Sequence, residues 1–262
     1  MKSQTLKFLV LLAAASMPLI AWLAQRQVFG PDNATLSARF PTLIVAAGYA
    51  FAIWGLIFAL DLAFGLWQVS HRRADHGPVD RIRALASAGF LLTAAWMVIF
   101  PQQQFWLALV VIWAALTALA VATIKLARSP LTAAEFCFAL LPLALHTGWL
   151  SLAAFLNTAQ VVVAYELLST TRMLPWSLAL WAAAAGLLLW LNSRLRLANV
   201  AFALAALWGL VGVVVKQSQS QLAGAHASAW VAAALGVVLL VQTAYLQIRR
   251  YRASAPKRTA AA

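Results

Sequence analysis

Stretches of about 20 consecutive apolar residues recur along most of the chain, and they limit its fold more than any other feature. One such stretch is long enough to cross the hydrocarbon core of a bilayer, which is about 30 Å thick. Inside that core every backbone donor and acceptor has to be satisfied by the protein, so the segments are helices or strands of a closed barrel. The stretches are rich in Leu, Ala and Val without two-residue alternation, which indicates helices. The sequence therefore predicts an all-α, polytopic membrane bundle.

The composition fits a chain whose solvent is lipid. Of the 262 residues, 64% are hydrophobic and 10% are charged, whereas soluble domains carry about 25% charged residues. A net charge of +13 in a soluble protein would suggest nucleic-acid binding. Here the basic residues cluster at the ends of apolar stretches, as they do in membrane proteins. We therefore predict contact with membrane lipid and no nucleic-acid partner.

The apolar stretches and the charges between them predict the number of spans and their direction. We predict eight spans, at 6–25, 41–69, 85–101, 104–124, 133–158, 175–193, 197–215 and 227–248. The connections after even-numbered spans are rich in Arg and Lys, and those after odd-numbered spans are poorer. Basic connections stay in the cytoplasm, so this asymmetry predicts that both termini are cytoplasmic. The Ala- and Arg-rich composition favours a bacterial inner membrane.

Polar and aromatic side chains share one face in three of the predicted spans, at a helical rotation of about 100° per residue. In the fifth span this face holds Pro142, His146, Trp149, Ala153, Asn157 and Gln160; in the second, Phe51, Trp54, Phe58, Asp61, Gly65 and Gln68; in the third, Gly89, Thr93, Trp96 and Phe100. Polar groups inside a membrane are costly and face other helices or a cavity. Two interpretations stay open: a ligand cavity between helices, or polar bonds that only hold the bundle together.

Two segments resemble helices of the TspO/MBR family, the tryptophan-rich sensory proteins. The segment "FPTLIVAAGYAFAIWGLIFALDLAFGLWQ" (40–68) is similar to the second helix of that family through Phe51, Trp54 and Gly65. The segment "GWLSLAAFLN" (148–157) is similar to its fifth helix, and Trp96 matches the tryptophan of its third helix. The chain departs from the family pattern where Phe58 replaces a tyrosine and Thr93 replaces an asparagine.

The resemblance implies a TspO-like five-helix core at 1–165 and three additional transmembrane helices at 166–250. The small and basic residues at 251–262 predict a disordered cytoplasmic tail. The resemblance also implies a homodimer and a hydrophobic ligand held between helices, either a tetrapyrrole or a sterol-like or drug-like molecule. We expect no bound cofactor, since a tetrapyrrole would be the ligand. The predicted ligand-binding residues are Trp54, Phe58, Asp61, Trp96, His146, Trp149 and Asn157. Among them the tryptophans would stack on the ligand, and Asp61, His146 and Asn157 would orient it.

Other functions stay open beside a binding or sensor protein. Asp61 inside a span would permit proton coupling in a transporter or exporter, and a non-catalytic scaffold subunit would need no patterned interior. His146 is a candidate haem ligand, but it has no partner in the sequence. An enzyme would need Asp61, His146 and Ser151 to act together, and helical rotation places Ser151 about 140° away from His146, so we predict no catalytic activity.

The chain has a single cysteine, Cys137, and no metal-binding motif. Cys137 lies in an apolar stretch, so the sequence predicts a small buried side chain there. We expect neither a disulfide nor a metal site.

Overall fold

The computed structural model describes residues 2–70 and 77–254, and within them the chain forms nine helices and no strand. They are α1 (Lys2–Gln25), α2 (Asn33–Arg39), α3 (Ile53–Ser70), α4 (Arg83–Ile99), α5 (Phe105–Ala127), α6 (Ala133–Ala164), α7 (Met173–Arg194), α8 (Asn199–Ser218) and α9 (Ala225–Ser254). All except α2 are long and apolar enough to cross a membrane, which makes eight candidate spans. The predicted all-α membrane bundle and its number of spans are confirmed.

The first part of the predicted second span is not helical. Residues 41–47 form a loop, a 3-10 turn follows at Gly48–Ala52, and α3 begins only at Ile53. Pro41 has no N–H to donate, and a proline also disfavours helical backbone in the residue before it. The backbone of the apolar loop after Pro41 makes hydrogen bonds to α8 instead of the hydrogen bonds of a helix.

Helix α6, the fifth span, is longer than predicted. It begins with a capping box in which Thr132 and Glu135 exchange side-chain and backbone hydrogen bonds. One π-helical turn follows at Phe136–Leu140, directly before Pro142. Almost every residue from Pro142 to Val161 is buried, so α6 is the central helix of the bundle.

The first five spans close into a ring. Helix α1 packs against α3 and α4, α4 packs against α5, and α6 completes the ring by packing against α5 and α3. Helices α7, α8 and α9 form a second group, and α8 and α7 pack directly on α6. The core therefore continues from the ring into the last three helices.

Small residues allow α8 to approach both α6 and the 41–47 loop closely. A Cβ on Gly148 would overlap the backbone carbonyl of Phe202, and one on Gly212 would lie 3.2 Å from the Cβ of Ala46 in the loop. Close contact at small residues is the usual way that helices associate in a membrane. Helix α8 is thus packed tightly on the centre of the molecule.

Two predictions concern residues outside this core. Cys137 is exposed, so the prediction that it is buried was wrong: Cys137 lies in the π-helical turn, and of that turn only Ala139 and Leu140 face the core. The predicted disordered tail begins at 251, but α9 continues to Ser254. The rest of the tail, 255–262, lies outside the described residues.

Candidate functional site

A narrow cavity lies inside the ring, at the end opposite to the two termini. It is lined by Ser37, Phe40, Thr42, Val45, Phe51, Trp54, Trp96, Phe100, Trp149, Ala153, Leu156, Asn157 and Gln160. The cavity volume is about 20 Å³, which is enough for one water molecule. Its walls come from α3, α4, α6 and the connection between α1 and α3.

Aromatic rings form most of these walls. Trp54 lies at the centre, with its ring 5.8 Å from that of Trp149 at 80° and 6.3 Å from that of Trp96 at 32°. Phe51 meets Trp149 edge-on, and Phe100 stacks on Trp96. Ring pairs in these geometries attract each other beyond their burial, so the walls are well defined even though the hollow between them is narrow.

Some polar groups in the cavity wall have a hydrogen-bond partner and others do not. The indole N–H of Trp96 donates to Oδ1 of Asn157 at 2.9 Å, and Nδ2 of Asn157 donates to the carbonyl of Ala153 at 3.3 Å. The indole N–H groups of Trp54 and Trp149 are buried and meet no acceptor in the part of the chain that the structure describes. A buried donor without an acceptor costs about 1–3 kcal/mol. Two free donors therefore stand in the wall of an aromatic cavity.

Asp61 and His146 lie outside the cavity lining and bind each other. Oδ2 of Asp61 is 2.7 Å from Nδ1 of His146, and Nε2 of His146 is 3.3 Å from the hydroxyl of Thr93. Both side chains of the pair are fully buried, and Phe90 stacks on the imidazole while Trp54 meets it edge-on. Each side chain gives the other a hydrogen-bond partner, which limits the cost of burying the pair.

The loop at 41–47 and its flanks close the cavity, and helix α8 fixes their main chain. Gln217 donates from Nε2 to the carbonyls of Thr42 and Val45 at 3.0 and 3.1 Å. Trp208 donates from Nε1 to the carbonyl of Ala50 at 2.8 Å, and the N–H of Ala47 donates to the carbonyl of Gly212 at 2.9 Å. Sequence reasoning missed this contribution, since Gln217 lies beyond the predicted end of the seventh span. The polarity of Gln217 next to an apolar helix was the only available signal.

A groove on the outside of the ring runs beside the cavity. It is lined by Ala21, Ala24, Gln25, Asp32, Phe51, Trp54, Phe58 and Met97, and its volume is about 240 Å³. Phe51 and Trp54 line both spaces. These two residues therefore border both the buried cavity and the outer groove between α1 and α3.

The predicted site residues therefore fall into three places. Trp54, Trp96, Trp149 and Asn157 line the cavity. Phe58 stacks on Trp54 and lines the outer groove, while Asp61 and His146 form the neighbouring pair.

The hydroxyl of Ser151 does not join His146. It donates to the carbonyl of Thr147 at 2.7 Å in its own helix, so the imagined set of nucleophile and base is not assembled. Within the described residues no group of three His, Cys, Asp or Glu side chains comes close enough to hold a metal ion.

A family model described as "TSPO-like protein" matches residues 7–245 of the chain. The match includes all the helices from α1 to most of α9. No curated protein and no solved structure matches the chain significantly.

Proposed function

Because this chain belongs to the TSPO-like protein family, we propose that it is an integral membrane protein that binds a hydrophobic, planar small molecule between its helices. The ligand would be tetrapyrrole-like or sterol-like. Trp54, Trp96 and Trp149 would contact its faces and edges, and Asn157 would offer polar contacts. The ligand would be released unchanged, so the proposal assigns the protein no catalytic activity.

The observation that supports this proposal best is the pair of free indole donors in the cavity wall. Trp149 is 1% exposed and Trp54 is 8% exposed, so water does not readily satisfy their N–H groups. An oxygen acceptor on a planar ligand would bond them while its apolar body packed against the rings. Both of these donors belong to residues that line the same cavity.

The bound state needs more room than the cavity now has. Ligand pockets usually measure about 300–1,000 Å³, whereas the cavity and the outer groove measure about 20 and 240 Å³. A rotation of the Trp54 side chain would join the two spaces, since Trp54 borders both of them. We propose that the ligand enters from the lipid through this groove and displaces Trp54.

Titration with protoporphyrin tests the proposal. Saturable quenching of tryptophan fluorescence is expected in detergent, and Trp149→Phe should weaken binding about tenfold because the ring stays while the N–H donor is lost. Trp230→Phe is the matched control, since Trp230 is 76% exposed on α9, and it should bind like the wild type. Absent saturation, or equal affinity for Trp149→Phe and wild type, would contradict the proposal.

We also propose an orientation in the membrane, a location and an assembly. Eight spans place both termini on one side, and the basic connections at that side favour the cytoplasm. We propose a bacterial inner membrane as the location and a homodimer as the assembly, the latter on the family resemblance alone.

Transport of a small hydrophobic compound is the second candidate, and the buried Asp61–His146 pair favours it. Paired ionisable side chains inside a membrane often mark a proton pathway, and this pair adjoins the cavity through Trp54. Such a pair could exchange protons as a substrate moved through the bundle.

A substitution at Asp61 separates transport from binding. Asp61→Asn keeps the shape and a hydrogen bond to His146 but removes the exchangeable carboxyl proton. If the protein is a proton-coupled transporter, this variant should lose proton-linked porphyrin flux in proteoliposomes. A protein that only binds its ligand should show no flux in either form and an affinity within about twofold of wild type, since Asp61 does not line the cavity.

A further inference from the structure

A basic recess opens at the end of the bundle that carries both termini. It is lined by Arg128, Ser193, Arg194, Arg196, Leu197, Arg250 and Ala253, and its volume is about 740 Å³. The arginines come from the end of α5, the α7–α8 connection and the last turns of α9. Three separate parts of the chain thus bring four guanidinium groups to one concave surface.

The described lining of this recess contains no carboxylate. Among the nearby acidic residues in the described ranges, Asp80 is bound by Arg83. Glu135 accepts hydrogen bonds from the backbone and hydroxyl of Thr132. Arg128, Arg194 and Arg196 therefore bring to the recess a positive charge that no carboxylate in its described lining balances. Guanidinium groups bind phosphate oxygens through paired, charge-assisted hydrogen bonds.

An apolar groove continues from the basic recess. Its walls include Phe136, Leu140, Arg196 and Leu197, and its volume is about 280 Å³. Arg196 and Leu197 belong to both surfaces. A soluble anion would use only the recess, whereas a molecule with a charged head and an apolar chain would fill both.

We propose that the recess and the groove together bind one anionic phospholipid. Its phosphate lies beside Arg128, Arg194 and Arg196, and one acyl chain lies along Phe136, Leu140 and Leu197. The position supports a lipid, because these residues stand at the ends of spanning helices, where headgroups meet hydrocarbon. The site is separate from the aromatic cavity at the opposite end, so it does not depend on the proposed ligand.

Native mass spectrometry of the full-length protein in detergent tests this site. Phosphatidylglycerol and phosphatidylcholine with identical acyl chains are added separately, and the dissociation constant of the first bound lipid is measured. Phosphatidylglycerol should bind more tightly, and Arg194→Gln and Arg196→Gln should each weaken it about fivefold. Arg172→Gln is the matched control: it removes the same charge from an exposed position at the opposite end and should leave the affinity unchanged.

A second set of measurements distinguishes a lipid from a free anion. Leu197→Ala, at a position that is 60% exposed, should weaken phosphatidylglycerol binding about threefold without lowering the melting temperature. Inorganic phosphate at the same concentration should not displace the lipid. Equal affinity for the two lipids, equal effects of Arg196→Gln and Arg172→Gln, or displacement by inorganic phosphate would each overturn the proposal.

Discussion

Replacing His146 with leucine is expected to lower the free energy of unfolding by about 3–5 kcal/mol, because it leaves the carboxyl group of Asp61 buried without its partner. Asp61 and His146 are both fully buried, and their contact is 2.7 Å long. The other carboxylate oxygen of Asp61 already lacks a partner in the described part of the chain, so nothing nearby would replace the imidazole. Unfolding in detergent, followed by circular dichroism, measures the loss.

A double variant shows why His146→Leu lowers the free energy of unfolding. The cause is either the carboxyl group of Asp61 left without a hydrogen-bond partner or the lost packing of the imidazole ring. His146→Leu combined with Asp61→Asn buries no ionisable group, and it should recover most of the stability. Asp61→Asn alone should cost about 1 kcal/mol, since the amide still bonds the imidazole. A double variant as unstable as His146→Leu would show that the packing of the imidazole, between Phe90 and Trp54, matters more than the pair.

The membrane bundle was predictable because the bilayer restricts which sequences can cross it. A segment that crosses hydrocarbon must be apolar for about 20 residues and must satisfy its own backbone, so hydropathy reveals each span. The helical rotation also predicted one polar and aromatic face on the fifth span. Trp149, Ala153, Asn157 and Gln160 of that face line the same cavity, whereas burial alone does not distinguish the face, because almost every residue from Pro142 to Val161 is buried.

The partners of those side chains were not predictable in the same way. The position of a residue around the helix axis gives the direction of its side chain. It does not give the height at which that side chain meets a neighbouring helix. His146 and Trp149 share a face of α6, yet His146 meets Asp61 while Trp149 lines the cavity. The roles proposed for Asp61 and His146 in orienting a ligand therefore have no support from the lining of the cavity.

The loop at 41–47 was missed for a related reason. Its residues are apolar, and hydropathy does not distinguish an apolar loop from the first turns of a span. What holds the loop is tertiary: hydrogen bonds from Gln217 and Trp208, which lie more than 150 positions later in the chain. Hydrogen bonds between residues so far apart in the chain do not produce a periodic pattern in the sequence.

These bonds also change how the last three helices relate to the rest. The sequence treats them as an addition to a five-helix core, a division that stays a prediction. The structure packs α8 on α6 and makes it the support of the loop that closes the cavity. Any change that moves α8 away from α6 should therefore affect both the stability of the bundle and the shape of the cavity.

Gly148→Ala is a small change that should move α8 away from α6. A methyl group there would overlap the backbone carbonyl of Phe202, and a backbone atom cannot turn aside as a side chain can. The helices would have to move apart, at an expected cost of about 1–3 kcal/mol in unfolding free energy. Protoporphyrin affinity should fall as well, because the bonds from Gln217 to the loop would lengthen.

Gly186→Ala is the matched control in the same chain, since beyond its own helical turn no atom lies within 4 Å of a Cβ placed there. Alanine favours helix over glycine by about 1 kcal/mol, so this variant should be as stable as wild type or slightly more stable. Both variants are compared by detergent unfolding and by fluorescence titration. If Gly148→Ala behaves like Gly186→Ala in both measurements, α6 and α8 are not in the close contact that positions the loop, and the last three helices do not shape the cavity.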